Sequence, residues 1–240
     1  MPLEHDHSTK AIAARLARGP RISYLRDWIY GGIDGAVTTF AIVAGSIGAN
    51  LSARVILILG IANLVADGFS MAAANYSGTK AEHDDYNRLR EMEERHIDRE
   101  PDGETEEIRQ IFRAKGYRGE ELQQMTALIT SRRAVWIETM LSEEHGVSNG
   151  LHDPLKSALA TFFAFLVCGA VPLVPFIAGL PASAITAAIA TGIVFFAIGS
   201  AKSKWSTQGW LRSGLETLGI GLGAAGLAWA AGRLLERFIA

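Results

Sequence analysis

Cysteine is almost missing from this chain: Cys168 is the only one in 240 residues, and it lies in an apolar run. A single thiol excludes an intramolecular disulfide and any cysteine-cluster metal site, and leaves Cys168 the role of a small buried hydrophobe. A cleavable secretory signal is also not visible, because the first 26 residues are polar and basic, with no apolar core segment and no small-residue cleavage pattern. No nucleophile–base constellation, phosphate-binding glycine loop or nucleotide fingerprint is present, which argues against an enzyme. Charge is missing too, but only locally. Eighteen of the 25 acidic residues fall between Lys80 and Asp153, with 11 of the 23 basic ones, so the long windows on either side are nearly charge-free.

Those windows are long enough to cross a bilayer, which takes about 20 mostly apolar residues. Five qualify: Trp28–Ala49, Val55–Ala74, Leu155–Ala178 with Pro172 and Pro175 near its end, Ala182–Ala201, and the shorter Leu215–Ala231. Gly31-x-x-x-Gly35 and Gly219-x-x-x-Gly223 are spacings that let helix backbones approach closely in lipid. The expected fold is all-α: a polytopic membrane protein with five transmembrane helices and a cytoplasmic three-helix insert between the second and third. The boundaries are a basic cytoplasmic N-terminal segment at 1–27, two spans in 28–79, the charged helical insert at 80–153, and three spans in 154–240. Lysine and arginine choose the orientation. With the N-terminus cytoplasmic, the basic N-terminal residues, the charged block, Lys156 and the "KSKWSTQGWLR" loop share that side, and only Arg54, Arg233 and Arg237 remain opposite.

The charged block reads as helices. Lys80–Glu100 continues from the second span, "REPDGETEE" is a turn marked by Pro101 and Gly103, Thr105–Lys115 is a second helix, and Glu120–Glu144 is a third. The apolar residues of that third helix, among them Leu122, Met125, Leu128, Ile129, Val135, Trp136 and Met140, favour a small folded subdomain over a disordered linker. Its acidity argues against a nucleic-acid partner.

Ionisable groups inside a span are costly, so each is a functional hypothesis. Asn63, Asp67, Met71 and Asn75 follow one another in steps of four in the second span. Each step drifts only about 40° around a helix, so the four form one stripe. Tyr30, Asp34 and Thr38 share the spacing in the first span. Two such stripes of carboxylate, amide, hydroxyl and thioether suit a transition-metal path, since the thioether favours iron-like metals over Mg²⁺ or Ca²⁺. Pairing of Asp34 and Asp67 with neighbouring helix donors is the structural alternative. In the charged block, Glu91/Glu94 and Glu104/Glu107 place carboxylates three residues apart on a helix face, and His96, Glu143, Glu144 and His145 add oxygen and imidazole donors. Arg88, Arg90, Arg95 and Arg99 interleave with those acids, so a salt-bridged solvated helix explains the pattern as well.

Three stretches carry a resemblance. "GGIDGAVTTFAIVAG", "VADGFSMAAANY", and "PDGETEEI" followed by "WIETMLSEEHGV" resemble, in order, the D-G-x-x-x-x-F, A-D-x-x-S-M-x-x-x-x-Y and cytoplasmic metal-binding segments of the vacuolar iron transporter family. The likeness runs through nearly the whole chain after Trp28. It implies a homodimer in the lipid bilayer that exports Fe²⁺ from the cytoplasm in exchange for protons and often also handles Mn²⁺; Zn²⁺ is a further ion that the oxygen and imidazole donors would suit, and no prosthetic cofactor is expected. By the resemblance, Asp34 and Met71 match in-membrane metal ligands, and Glu104, Glu107, Met140 and Glu144 match ligands of the cytoplasmic domain. The first carboxylate pair of the family falls on Glu93 and His96, a departure from Glu/Glu, while a local shift would recruit Glu91 and Glu94 instead. Leu141 stands in place of a second methionine, and Asn75 where an acid is common. Asp34, with Asp67 second, is the candidate for coupling protons to metal, because a carboxylate binds metal only when deprotonated. The host membrane is expected to be a bacterial-type plasma (inner) membrane, or a vacuolar membrane in a eukaryote. A membrane-anchored metal sensor or storage platform without transport is the rival reading.

Overall fold

The computed structural model describes residues 6–17, 22–148 and 152–239, the side chain of Ile239 excepted, and among these every regular element is helical. In chain order they are α1 (Thr9–Ala17), α2 (Leu25–Gly48), α3 (Ala53–Arg99), α4 (Pro101–Ala114), α5 (Gly119–Thr130), α6 (Arg133–Glu143), α7 (Pro154–Ala170), α8 (Val174–Ile177), α9 (Ser183–Lys202) and α10 (Trp210–Ile239). Five helical stretches are long and apolar enough to span a bilayer: α2, α3, Pro154–Ile177, Ser183–Trp205 and Trp210–Phe238. The chain divides into two compact units, one made of Ser23–Ser77 and Asp153–Ala240, the other of Met1–Ile22 and Gly78–His152. The division falls within α3, a single 47-residue helix.

In the first unit α2 is the centre and packs against α7, α9 and α10. Glycine makes the closest of these approaches. A Cβ on Gly31 would sit 2.3 Å from the Thr161 carbonyl oxygen, and one on Gly35 2.4 Å from that of Phe165, so α2 and α7 meet backbone to backbone. The second glycine pair behaves differently: around Gly219 and Gly223 on α10 an added Cβ would meet nothing within 4 Å. The core between the helices holds Ala36, Phe40, Val43, Ile56, Leu173 and Phe195. Cys168 is buried there with them, as a small apolar residue. Pro154 begins α7 at a position that has no use for an N–H, and Asp153 caps it by accepting from the Lys156 backbone N–H at 2.9 Å. Pro172 and Pro175 convert the end of that span into a 3₁₀ turn, Val171–Leu173, and the short α8, because each removes a helix donor.

In the second unit the chain departs from the expected three helices. The "REPDGETEE" stretch is no turn: α3 runs to Arg99, Glu100 alone breaks the helix (φ −134°, ψ 53°), and Pro101 opens α4. Proline forces its predecessor out of the helical region yet is itself suited to the first helical turn, so one residue makes the corner. The expected third helix is two. Arg132 is extended (φ −126°, ψ 99°), and α5 and α6 lie on either side of it. Their apolar faces, with those of α3 and α4, enclose Leu89, Ile97, Ile108, Ile129, Trp136 and Met140, while Leu128 and Val135 remain exposed.

Candidate metal site

The corner at Glu100 gives the second unit its most concentrated chemistry. On α3 the buried positions run Tyr86, Leu89, Glu93, Ile97, so Glu93 occupies a site that the helical spacing assigns to a hydrophobe. Its side chain is 2% exposed. On α4 Glu104 holds the equivalent place one turn before the fully buried Ile108, and is 4% exposed. Each carboxylate has one oxygen beside an imidazole: His145 Nε2 lies 2.8 Å from Glu93 Oε1, and His96 Nδ1 lies 3.3 Å from Glu104 Oε1. The other oxygen of each, Glu93 Oε2 and Glu104 Oε2, is buried without a hydrogen-bond partner. An orphaned buried acceptor costs on the order of 1–3 kcal/mol, more for a charged group. Either a shared proton between the two carboxyls or a bound cation would relieve that cost, so both residues are candidate metal ligands.

Candidate ligand atoms of Glu93, His96 and Glu104 lie within 4.8 Å of one another, as do those of Glu93, Glu144 and His145. Glu93 belongs to both groups. Burial, and then the negative charges of Glu107 and Glu93, push the Glu104 carboxyl up to about 7. Glu107, although exposed, is raised as well, first by partial desolvation and then by Glu144 and Glu93, against the opposing pull of His96 and His145. A set of carboxylates that raise one another in this way is primed to exchange protons for a divalent ion. Met140, fully buried, sits one turn before Glu144 on α6 in the same apolar core.

The alternative pair lies on a different face of α3. Glu94 forms an ion pair with Arg90 at 3.1 Å, and Glu91 is exposed. Glu143 is tied to Lys115. The sequence offers His145 as one candidate donor among Glu143, Glu144 and His96, without choosing it. The signal that singles it out is tertiary, because α6 must end where it does for the imidazole to reach back to Glu93.

The in-membrane candidates are less enclosed. Asp34 on α2 is half-buried, with the Asp67 carboxyl of α3 as a neighbour. Met71 and Asn63 are half-buried and Asp67 is exposed, although Asn63 Nδ2 is a buried donor without a partner. Thr38 Oγ1 donates to its own helix, at the Asp34 carbonyl, 2.8 Å away. Asn75 is engaged elsewhere. Its Nδ2 donates to Asp27 Oδ1 at 2.9 Å and Thr161 Oγ1 at 2.7 Å, tying α3 to α2 and α7. Asp27, 6% exposed, had drawn no attention as a residue of the first turn of α2.

A bundle of candidate spans with two polar stripes, joined to a unit that buries two carboxylates beside imidazoles, is the architecture of a polytopic membrane protein with candidate metal ligands in both parts. Comparison with known proteins agrees. The VIT family model matches residues 25–233, and the chain belongs to the VIT family. It is 32% identical over 225 residues to the vacuolar iron transporter of Toxoplasma gondii (strain ATCC 50861 / VEG), covering 89% of this chain and 74% of that protein. Vacuolar iron transporter 1 of Arabidopsis thaliana is 30% identical over 219 residues, covering 88% and 86%. The vacuolar iron transporter of Plasmodium falciparum (isolate 3D7) is 29% identical over 196 residues, covering 77% and 72%.

Proposed function

We propose that this protein is a membrane transporter of Fe²⁺ that moves the ion out of the cytoplasm in exchange for protons, with Mn²⁺ as a second substrate. The observation that carries the reading is the buried, unpartnered pair Glu93 Oε2 and Glu104 Oε2 flanked by His96 and His145, in a chain that belongs to the VIT family. Such a donor set of oxygen and imidazole suits first-row divalent metals over Mg²⁺ or Ca²⁺.

In this reading the charged unit faces the cytoplasm and collects Fe²⁺. Glu93, His96, Glu104, Glu107, Glu144 and His145 hold the ion, with Met140 beneath. Entry of the ion displaces the proton that burial keeps on Glu104. The ion then passes to Asp34 and Met71, with Asp67 and Asn63 along the same path. Those donors are few and half open in one chain, which supports a homodimer in which two copies complete the coordination. Asp34 couples the flows, because metal and proton compete for the same carboxylate.

The test is Fe²⁺ uptake into vesicles containing the purified protein, with and without an imposed pH gradient. Transport that needs the gradient and is abolished in Asp34→Ala supports the reading. Metal binding with no flux under any gradient would replace it with the sensor or storage function.

A further inference from the structure

Apart from the cation chemistry, the unit that carries the spans has a groove of about 480 Å³, lined by Leu25, Arg26, Ile29, Ile33, Lys202 and Trp205 and bordered by Ser23 and Tyr30. Its volume is in the range of ligand sites, and among the described residues no acidic side chain lines it. Arg26 is the second residue of α2 and Lys202 the last of α9, so both cations stand at the ends of apolar helices, where a bilayer has its headgroups. Among the described residues neither has a carboxylate partner; the guanidinium of Arg26 rests over the Tyr30 ring at 5.9 Å. Tyr30 and Trp205 are 59% and 63% exposed, as aromatic residues at the lipid–water boundary are. From Arg26 to Ile33 the helix descends about 10 Å, from headgroup level to the acyl chains.

We propose that this groove binds one anionic phospholipid of the surrounding bilayer, its phosphate between Arg26 and Lys202 and an acyl chain along Ile29 and Ile33. Two unpaired cations above an apolar wall match that amphiphile, and a zwitterionic lipid lacks the net charge they attract. A soluble anion would leave the apolar wall unfilled. The inference needs only that the spans sit in a membrane, so it stands apart from iron transport.

The experiment is native mass spectrometry of the full-length protein in detergent, titrated with chain-matched phosphatidylglycerol and phosphatidylcholine. Wild type should retain phosphatidylglycerol roughly 30-fold better, from two cations near the surface at about 1 kcal/mol each. Arg26→Gln with Lys202→Gln should bring it down to the phosphatidylcholine level, Arg26→Lys should largely preserve it, and Lys204→Gln, outside the groove, should change nothing. Ile29→Trp, which fills the wall, should weaken retention while the protein keeps its unfolding temperature. Equal retention of the two lipids by wild type would overturn the proposal, as would undiminished phosphatidylglycerol in the double variant. So would complete displacement by inorganic phosphate, which would mark a free-anion site. A double variant that loses its oligomeric state but not its lipid would show that a second copy of the chain covers the groove, and would overturn it too.

Discussion

The two polar regions of this molecule are built in opposite ways. In the charged unit, Glu93 and Glu104 are 2% and 4% exposed, and their imidazole partners come from the same chain. In the spanning unit, the stripe of Asn63, Asp67 and Met71 lies half open or fully open at the surface of α3, with Asp34 half-buried on α2. A carboxylate withdrawn from solvent and left half paired stores free energy that a cation can release. An open one stores little until something covers it. Under the proposed function, the first region would draw its ligands from one chain, and the second would need a second copy to complete it.

The sharpest way to break that comparison is Asp34→Ala. It should abolish Fe²⁺ flux in vesicles while ion binding by the charged unit, read by calorimetry, stays at the wild-type value. Loss of both together would mean that the two regions act as one site. Next in size, Glu93→Gln should weaken metal binding about 100-fold, because the residue it removes belongs to both ligand groups. Glu94→Gln, in the same turn but paired with Arg90, should shift affinity less than twofold. Equal losses would put the metal on the other face of α3.

A smaller effect is expected from packing. Gly35→Ala drives a Cβ to 2.4 Å from the Phe165 carbonyl oxygen and should cost about 1–3 kcal/mol, whereas Gly219→Ala meets nothing and should be neutral or slightly stabilising. Thermal unfolding of the two variants in detergent checks this directly. Equal melting temperatures would sink the close α2–α7 contact, while a Gly219→Ala loss would reveal a partner on α10.

The last is a pH effect on the metal-free protein. Glu104 has a folded-state pKa of about 7, above the ordinary carboxylate value of 4.5, so the folded chain binds more protons between those values than the unfolded chain does. Stability from this group is fully present below pH 4.5 and is lost as pH rises through about 7. Melting of the charged unit, followed by circular dichroism from pH 5 to 7.5, should fall accordingly, and saturating Zn²⁺ should reverse the trend. A melting temperature that climbs with pH in the chelated protein would mean that Glu104 is already charged.

The spans could be read from the chain because hydrophobicity is additive: an apolar window of about 20 residues needs no knowledge of its neighbours. Their ends moved by a few residues, and α3 continued far past its apolar part, since backbone hydrogen bonding proceeds wherever no breaker intervenes. The helix stop at Glu100 agrees with the structure to within one residue, whereas the second helix begins at Pro101 and not at Thr105, because the missing N–H of proline suits the start of a helix. In the charged block, composition located the acids but could not choose among them. The spacing Tyr86, Leu89, Glu93, Ile97 already held the phase of α3, yet the more conspicuous E-x-x-E of Glu91 and Glu94 competed with it.

What local order along the chain dictates is thus the helical class, the five apolar spans and the clustering of acid between the second and third. Which acids are withdrawn from water is a tertiary matter. Burial depends on what packs over a residue, and α4 and α6 reach Glu93 only after the chain has turned at Glu100 and again at Arg132. The two glycine pairs make the same point, being alike as motifs and different in the folded chain. Gly31 and Gly35 meet the backbone of α7, and Gly219 and Gly223 meet open space, because a small residue permits a close approach without supplying the partner.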